Sequence, residues 1–282
     1  MKISGFMADE IIADALKEDV GRGDITTELT IPEDTTAKGR FIAKENGIIC
    51  GLEICERVFE LIDGNTEFTA LKKDGETVLA GEVFAEISGK AKSLLTGERT
   101  ALNFLQRMSG IATTTAAAAA QIAGTKAKIA DTRKTAPGLR LLDKYAVLTG
   151  GGTNHRFNLS DGILIKDNHI AAAGTITTAL ERAKKGAPHT LKIEVECETL
   201  ADVSEALAAG ADVIMLDNMT TENMKKAAEL IGGRALVEAS GNMGDKDLPE
   251  VALTGVDIIS VGALTHSVKS LDISLKFDIG IC

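Results

Sequence analysis

Arg133, Lys134, His155, Arg156, Lys166 and His169 fall in three short runs, DTRKT, GGTNHR and LIKDNH, between Asp131 and His169. The chain has 282 residues and a formal charge of −10, with 31 Lys and Arg against 41 Asp and Glu. A cationic concentration in an acidic protein points to a small, highly anionic ligand. Arginine forks match carboxylates and phosphates with paired hydrogen bonds, and lysine supplies a compact charge. Singly, the residues say less. Arg133 and Lys134 in a turn are ordinarily solvated charges. His155 suits a structural hydrogen-bonder as well as a ligand-binder. His169 suits a cap for the helix that follows. Lys166 ends an apolar strand, so its stem is expected to be buried. Gly150-Gly151-Gly152 reads as a flexible loop, which is poor evidence for phosphate binding.

The elements that must position these residues alternate. From Lys126 onward, apolar strand candidates lie at Ala127–Ala130, Gly162–Ile165, Leu191–Val195, Val213–Leu216, Ala235–Val237 and Asp257–Ser260. Helical patterns fall between most of them, as at Thr175–Lys185, Leu200–Ala209 and Glu222–Ile231. Repeated βα units imply parallel strands. No glycine-rich dinucleotide fingerprint follows the first strand, so a Rossmann reading lacks its main support. The strand ends carry the chemistry: Asp131-Thr132-Arg133-Lys134, Lys166-Asp167-Asn168, Glu196, Asp217-Asn218, Glu238-Ala239-Ser240-Gly241 and Val261-Gly262. In a parallel β/α barrel such ends converge on one mouth, where active sites form. A barrel is therefore expected in preference to an open sheet.

That mouth would set Arg133, Lys134, Arg156 and Lys166 against Glu196 and Asp217. The two acids suit Mg²⁺ or ribose hydroxyls. Ser240, Gly241, Asn242 and Gly262, after the last strands, suit a phosphate, because backbone N–H groups can approach its oxygens. A Schiff-base aldolase using Lys166 and a non-catalytic anion-binding protein are the other readings open at this point.

Residues 1–110 read differently. A helical pattern near Ala8–Lys17 precedes strand-like segments at Thr36–Lys44, Glu67–Lys72 and Glu82–Ser88, interrupted by a helix at Leu52–Ile62. The long helix-former Leu94–Gln121 is expected to break into two at Gly110.

Bulk properties exclude several classes. At 3% aromatic and net acidic, the chain lacks the basic face and stacking platforms of nucleic-acid binders. No apolar run approaches the roughly 18 residues of a membrane span. The N-terminal segment is too acidic for a signal peptide, so a cytoplasmic location is expected. Cys50, Cys55, Cys197 and Cys282 show no zinc-ligand spacing and read as reduced thiols in or near the core. Cys197, beside Glu196, reads as packing.

These residues also resemble a known family, the quinolinate phosphoribosyltransferases. The resemblance is carried by EDVGRGDITTELTIP at Glu18–Pro32 and GERTALNFLQRMSGIAT at Gly97–Thr113. It is strongest across Asp131–Ile170, from DTRKT to LIKDNHI, and continues in LDNM at Leu216–Met219, EASG at Glu238–Gly241 and SVGALTHS at Ser260–Ser267. A related branch associated with molybdenum transport shares the fold, and the intact NHR and LIKDNH motifs favour the quinolinate enzyme.

The resemblance implies an α/β fold of type II phosphoribosyltransferase kind. An N-terminal α+β sandwich over residues 1–110, with 268–282 returning to it, precedes an incomplete parallel β/α barrel over residues 111–267. It implies phosphoribosyl transfer from phosphoribosyl pyrophosphate to quinolinate with decarboxylation, giving nicotinate mononucleotide, pyrophosphate and CO₂ in de novo NAD synthesis, with Mg²⁺. It implies a homodimer or higher homo-oligomer with a shared active site. The dicarboxylate would lie among Arg133, His155, Arg156 and Lys166, with Thr132 also at the substrates and Arg99 reaching in from a partner subunit. Lys134 would meet the phosphoribosyl donor, and Lys166 would lie near both ligands. Glu196 and Asp217 would face the ribose hydroxyls and the metal. Ser240, Gly241, Asn242 and Gly262 would hold the 5′-phosphate. Lys134, Lys166, Glu196 and Asp217 are the implied catalytic set.

Overall fold

A computed structural model describes residues 5–279. The chain runs α1 (Gly5–Val20), α2 (Ile25–Thr30), β1 (Thr36–Ala43), β2 (Gly47–Ile48), α3 (Leu52–Ile62), β3 (Glu67–Ala70), β4 (Thr77–Val78), β5 (Val83–Lys90) and α4 (Ala91–Gln121). It continues with β6 (Lys128–Ala130), α5 (Arg140–Thr149), β7 (Ile163–Ile165), α6 (Asp167–Ala173), α7 (Ile176–Gly186), β8 (Ile193–Cys197), α8 (Leu200–Ala208) and β9 (Val213–Asp217). Then follow α9 (Thr221–Ile231), β10 (Leu236–Ser240), a 3-10 turn (Met243–Asp245), α10 (Leu248–Leu253), β11 (Ile258–Ser260), α11 (Ala263–His266) and β12 (Ile273–Ile279). Two compact units form. The first comprises residues 1–116, 136–150 and 268–282, and the second residues 117–135 and 151–267.

The first unit is built on an antiparallel sheet of order β12-β1-β5-β3. Strand β1 alternates strictly in its first half, with Ala37, Gly39, Phe41 and Ala43 turned inward or enclosed. That period of two gives the sheet one core face. Phe41 packs edge-on to Phe59 and Phe68, with ring centroids 6.4 and 5.7 Å away. Helix α3 has no capping side chain of its own at Gly51. The Asp74 carboxylate takes its first N–H groups, from Gly51 and Leu52, at 2.9 and 3.1 Å.

Gly110 does not break the long helix; α4 runs unbroken over 31 residues. A Cβ at Gly110 would lie 2.2 Å from the Lys269 carbonyl oxygen. The glycine is there so that the segment leading to β12 can cross the helix at backbone distance, which outweighs its modest helix penalty. Gly150 has a similar role, since a Cβ there would meet the Ala112 carbonyl oxygen at 2.4 Å. The glycine run is therefore a close-packed helix end as well as a loop.

The second unit holds a six-stranded parallel sheet of order β6-β11-β10-β9-β8-β7. Four residues of β9 are buried in succession, as expected of a parallel strand covered on both faces. Strands β6 and β7 end the ladder, and β6 finds an additional parallel partner in the isolated bridge Ala130–Thr153. Six strands fall short of the eight of a complete β/α barrel. The crossover helices start where short polar side chains accept free N–H groups: Thr175, Thr199, Thr220 and Asp247 cap α7, α8, α9 and α10. Their inward residues recur at helical spacing, as with Met224, Ala227 and Ile231 on α9. Cys50, Cys55 and Cys197 are buried free thiols, and Cys282 lies outside the described residues.

Candidate active site

The carboxyl ends of the six strands surround a cavity of about 590 Å³ in the second unit. Thr132, Arg133, Lys134, His155, Arg156, Lys166, Glu196, Asp217, Ser240, Gly241, Asn242 and Gly262 all line it. Arg99 does not belong to this group and stands exposed on α4 of the first unit. His169 is not among the lining residues either. Its Nδ1 accepts the Lys166 backbone N–H at 3.0 Å, closing a cap on α6.

The β6 end is set by Asp131, which is fully buried and accepts the His155 backbone N–H at 2.9 Å. Beyond it, Thr132 Oγ accepts the Lys134 N–H at 3.0 Å, and Thr265 Oγ donates to the Lys134 carbonyl at 2.9 Å. The turn presenting Arg133 and Lys134 is thus tied at both flanks. Arg156 donates to the Gly162 carbonyl at 3.1 Å. Burial, then repulsion from Arg133, lowers the Arg156 pKa from its ordinary value. Two guanidinium groups held in mutual repulsion are relieved by an anion bound between them.

Lys166 departs from expectation. Its side chain as a whole is 46% exposed, and Nζ donates to Glu196 Oε2 at 2.9 Å. The lysine follows the last residue of a three-residue strand, which leaves its chain rising into the open mouth rather than through the sheet. A half-exposed, ion-paired lysine lacks the desolvation that activates a Schiff-base nucleophile.

The phosphate side is shaped by backbone. Asn218 and Asn242, following β9 and β10, both adopt left-handed conformations, with φ of 53° and 52°. Gly241 has φ +91°, and a Cβ there would fall 2.2 Å from Asn218 Oδ1. Only glycine fits that turn, which brings main chain to the cavity wall. Asn218 Nδ2 also donates to Asp217 Oδ2 at 2.7 Å, fixing that carboxylate.

Below the mouth lies a deeper polar layer. His155 Nε2 is 2.9 Å from Glu194 Oε2 and 3.7 Å from Glu238 Oε1. His155 Nδ1 accepts the Arg156 N–H at 2.7 Å. With Nδ1 engaged by the main chain, Nε2 is the ring nitrogen that faces the two glutamates. Ser260 Oγ donates to Glu238 Oε1. Burial, then the adjacent Glu194, pushes the Glu238 carboxyl up to about 8. Asn218 and Glu238, named above at their strand ends, also line the cavity, together with Ser260 and His266. The signal was available for the glutamates. Side chains two apart on a strand share a face, so Glu194 lies beneath Glu196 and Glu238 beneath Ser240.

A parallel β/α sheet that gathers arginines, lysines, acids and glycine turns at its carboxyl end defines an enzyme of the barrel class acting on small anions. Comparison with known proteins narrows the class. Residues 24–109 match the family described as quinolinate phosphoribosyl transferase, N-terminal domain, and residues 111–276 match its C-terminal domain. A probable carboxylating nicotinate-nucleotide pyrophosphorylase of Bacillus subtilis is 50% identical over 258 residues, spanning 92% of this chain and 89% of that protein. The chloroplastic carboxylating nicotinate-nucleotide pyrophosphorylase of Arabidopsis thaliana is 47% identical over 287 residues, spanning 95% and 82%. The crystal structure of NadC from Streptococcus pyogenes superposes with a TM-score of 0.94 at 45% identity, covering 100% of both chains. The chain belongs to the quinolinate phosphoribosyltransferase family.

Proposed function

We infer that the chain is a carboxylating nicotinate-nucleotide pyrophosphorylase, acting on quinolinate and phosphoribosyl pyrophosphate in NAD synthesis. The observation that carries the site assignment is the one cavity on which twelve sequence-derived residues meet, cations together with acids and glycine turns. Arg133 and Arg156 hold the two carboxylates of quinolinate, with Lys166 between the substrates. Lys134 faces the donor's pyrophosphate, and Ser240, Gly241, Asn242 and Gly262 receive its 5′-phosphate. Glu196 and Asp217 face the ribose.

The pyridine nitrogen attacks the anomeric carbon as pyrophosphate departs. Positive charge grows on the ribose, where Glu196 and Asp217 stabilise it, while Lys134 and Lys166 offset the negative charge of the leaving group. Gathering two polyanions costs Coulomb energy that the cationic wall offsets, and the same contacts align the nitrogen for attack. The ring nitrogen then carries positive charge. The bond from the adjacent ring carbon to its carboxylate breaks, CO₂ leaves, and the electron pair stays beside the pyridinium until it takes a proton from water. No residue has to act as a strong base. Two carboxylates at a phosphate-binding mouth are an oxygen donor set of the kind Mg²⁺ uses together with ligand phosphates. Glu196 and Asp217 would hold it, and it would neutralise pyrophosphate charge.

Arg99, exposed on α4, is assigned to the site of a second copy of the chain in a homodimer. Among the described residues no helix is long and apolar enough to cross a membrane. The buried free thiols Cys50, Cys55 and Cys197 support a reducing, cytoplasmic setting. A pyrophosphate-release assay comparing quinolinate with nicotinate tests the reading. Release with the diacid alone is expected, and equal release with the monoacid would overturn it.

A further inference from the structure

The layer under the mouth joins strands that are distant in sequence. Ser260 on β11 donates to Glu238 on β10, and the Glu238 and Glu194 carboxyls come within 4.8 Å of each other across β10 and β8. Glu194 receives His155 Nε2, and His155 Nδ1 receives the Arg156 main chain. Both glutamates are buried, at 7% and 2% exposure. Two buried carboxyls in contact cannot both ionise cheaply, and the arrangement closes when they share one proton. Each group then has a defined donor or acceptor role, and the ring has one tautomer and one orientation.

We propose that Glu194 and Glu238 are positioning residues of the dicarboxylate site: they fix the His155 ring, and through its Nδ1 the main chain of Arg156, so that the Arg156 fork meets the substrate in one register. The proposal rests on the assignment of Arg156 to a quinolinate carboxylate. Both ring nitrogens of His155 are engaged within the protein, so this histidine acts on the ligand through its neighbour. A ring nitrogen and two carboxyl oxygens within 4.8 Å of one another also have the composition of a cation site. A proton shared between the two carboxyls would engage Glu194 Oε1, a buried oxygen with no other hydrogen-bond partner, and gives the trio a role without an ion.

The test compares Glu194→Leu, Glu194→Gln and Arg156→Ala in full steady-state kinetics with both substrates varied. Leucine keeps the volume and removes the acceptor, whereas the glutamine amide oxygen still accepts from Nε2–H. Losing a buried acceptor typically costs enough for a tenfold effect or more. The KM for quinolinate is expected to rise about tenfold or more in Glu194→Leu, with the KM for phosphoribosyl pyrophosphate within about threefold of wild type. Glu194→Gln should recover most of the loss. Glu238→Gln, which keeps a donor toward Glu194, should behave likewise. A folded Glu194→Leu with unchanged quinolinate KM, or with both KM values raised together, would overturn the proposal. Arg156→Ala separates the two levels: if it too leaves quinolinate KM unchanged, the site assignment fails with it. If Glu194→Leu does not fold, ¹⁵N-histidine spectra of the wild-type enzyme decide. An Nε2–H tautomer at His155 is expected, and an imidazolium or Nδ1–H ring would overturn the proposal. So would a stoichiometric metal ion held by the purified enzyme and lost from both glutamine variants.

Discussion

Lys166 and Glu196 form an ion pair across neighbouring parallel strands, with Nζ 2.9 Å from Oε2 and the lysine half exposed. The pair links the side assigned to the substrates' negative charge with the side assigned to the ribose. The Glu196 side chain is only 11% exposed, so the pair contributes on the order of 1 kcal/mol, at the upper end for ion pairs that water still reaches. Lys166→Ala should therefore melt within a few degrees of wild type while losing about 10²-fold or more in turnover. Arg133→Ala should behave in the same way. Pyrophosphate release and thermal melts on the same samples check both, and near-normal activity in either variant would remove that residue from the site.

Gly241 is expected to tolerate no side chain. In Gly241→Ala the new Cβ would meet Asn218 Oδ1 at 2.2 Å on a backbone with φ +91°. Relief requires moving Asn218, which also holds Asp217. A cost of about 1–3 kcal/mol is expected from the strain. The KM for phosphoribosyl pyrophosphate should rise more than that for quinolinate, which separate titrations of the two substrates would reveal.

Glu238 makes the enzyme's stability depend on pH in a direction that can be worked out. Its carboxyl is raised from an ordinary 4.5 to about 8 by burial and then by Glu194. Between those values the folded state binds more protons than the unfolded chain, so this group's contribution favours folding at low pH and is lost as pH rises through the window. Glu238→Gln removes the titration. The melting temperature of the variant minus that of wild type should increase from pH about 5 to about 8. A difference that stays flat over that range would show the carboxyl is not neutral in the fold.

If Arg99 serves the site of a second copy, two inactive variants should complement. Arg99→Ala and Lys166→Ala chains, mixed and reassembled, are expected to recover a fraction of wild-type turnover at the sites that receive both intact residues. Tagging the two chains differently and isolating the mixed species makes the measurement decisive. An isolated heterodimer without activity would place Arg99 elsewhere.

Much of the fold and the site is legible in the sequence, and the gaps have physical causes. Helix α3 was read as Leu52–Ile62 and forms over those residues, because amphipathic spacing and the following turn agree. The strand ends were legible because apolar runs stop where polar residues begin. Gly110 was misread because propensity is local, whereas the reason for that glycine lies in Lys269, far along the chain. Glu238 is visible at its strand end, whereas Glu194 lies one layer below the rim, where only the period of two along the strand points to it. The orientation of the His155 ring depends on the N–H of the next residue, a bond that no residue pattern announces. Arg99 has no signal of its own beyond family resemblance.

Strand β12 pairs along β1, and the Arg40–Asp278 ion pair between them joins residues 238 apart in sequence. A ribosome adding roughly 5–20 residues per second leaves one edge of β1 unpaired for on the order of ten seconds or more. An open strand edge invites pairing with another chain. The first sheet is thus begun early and finished last, and its waiting edge is where a chaperone has most to protect during synthesis.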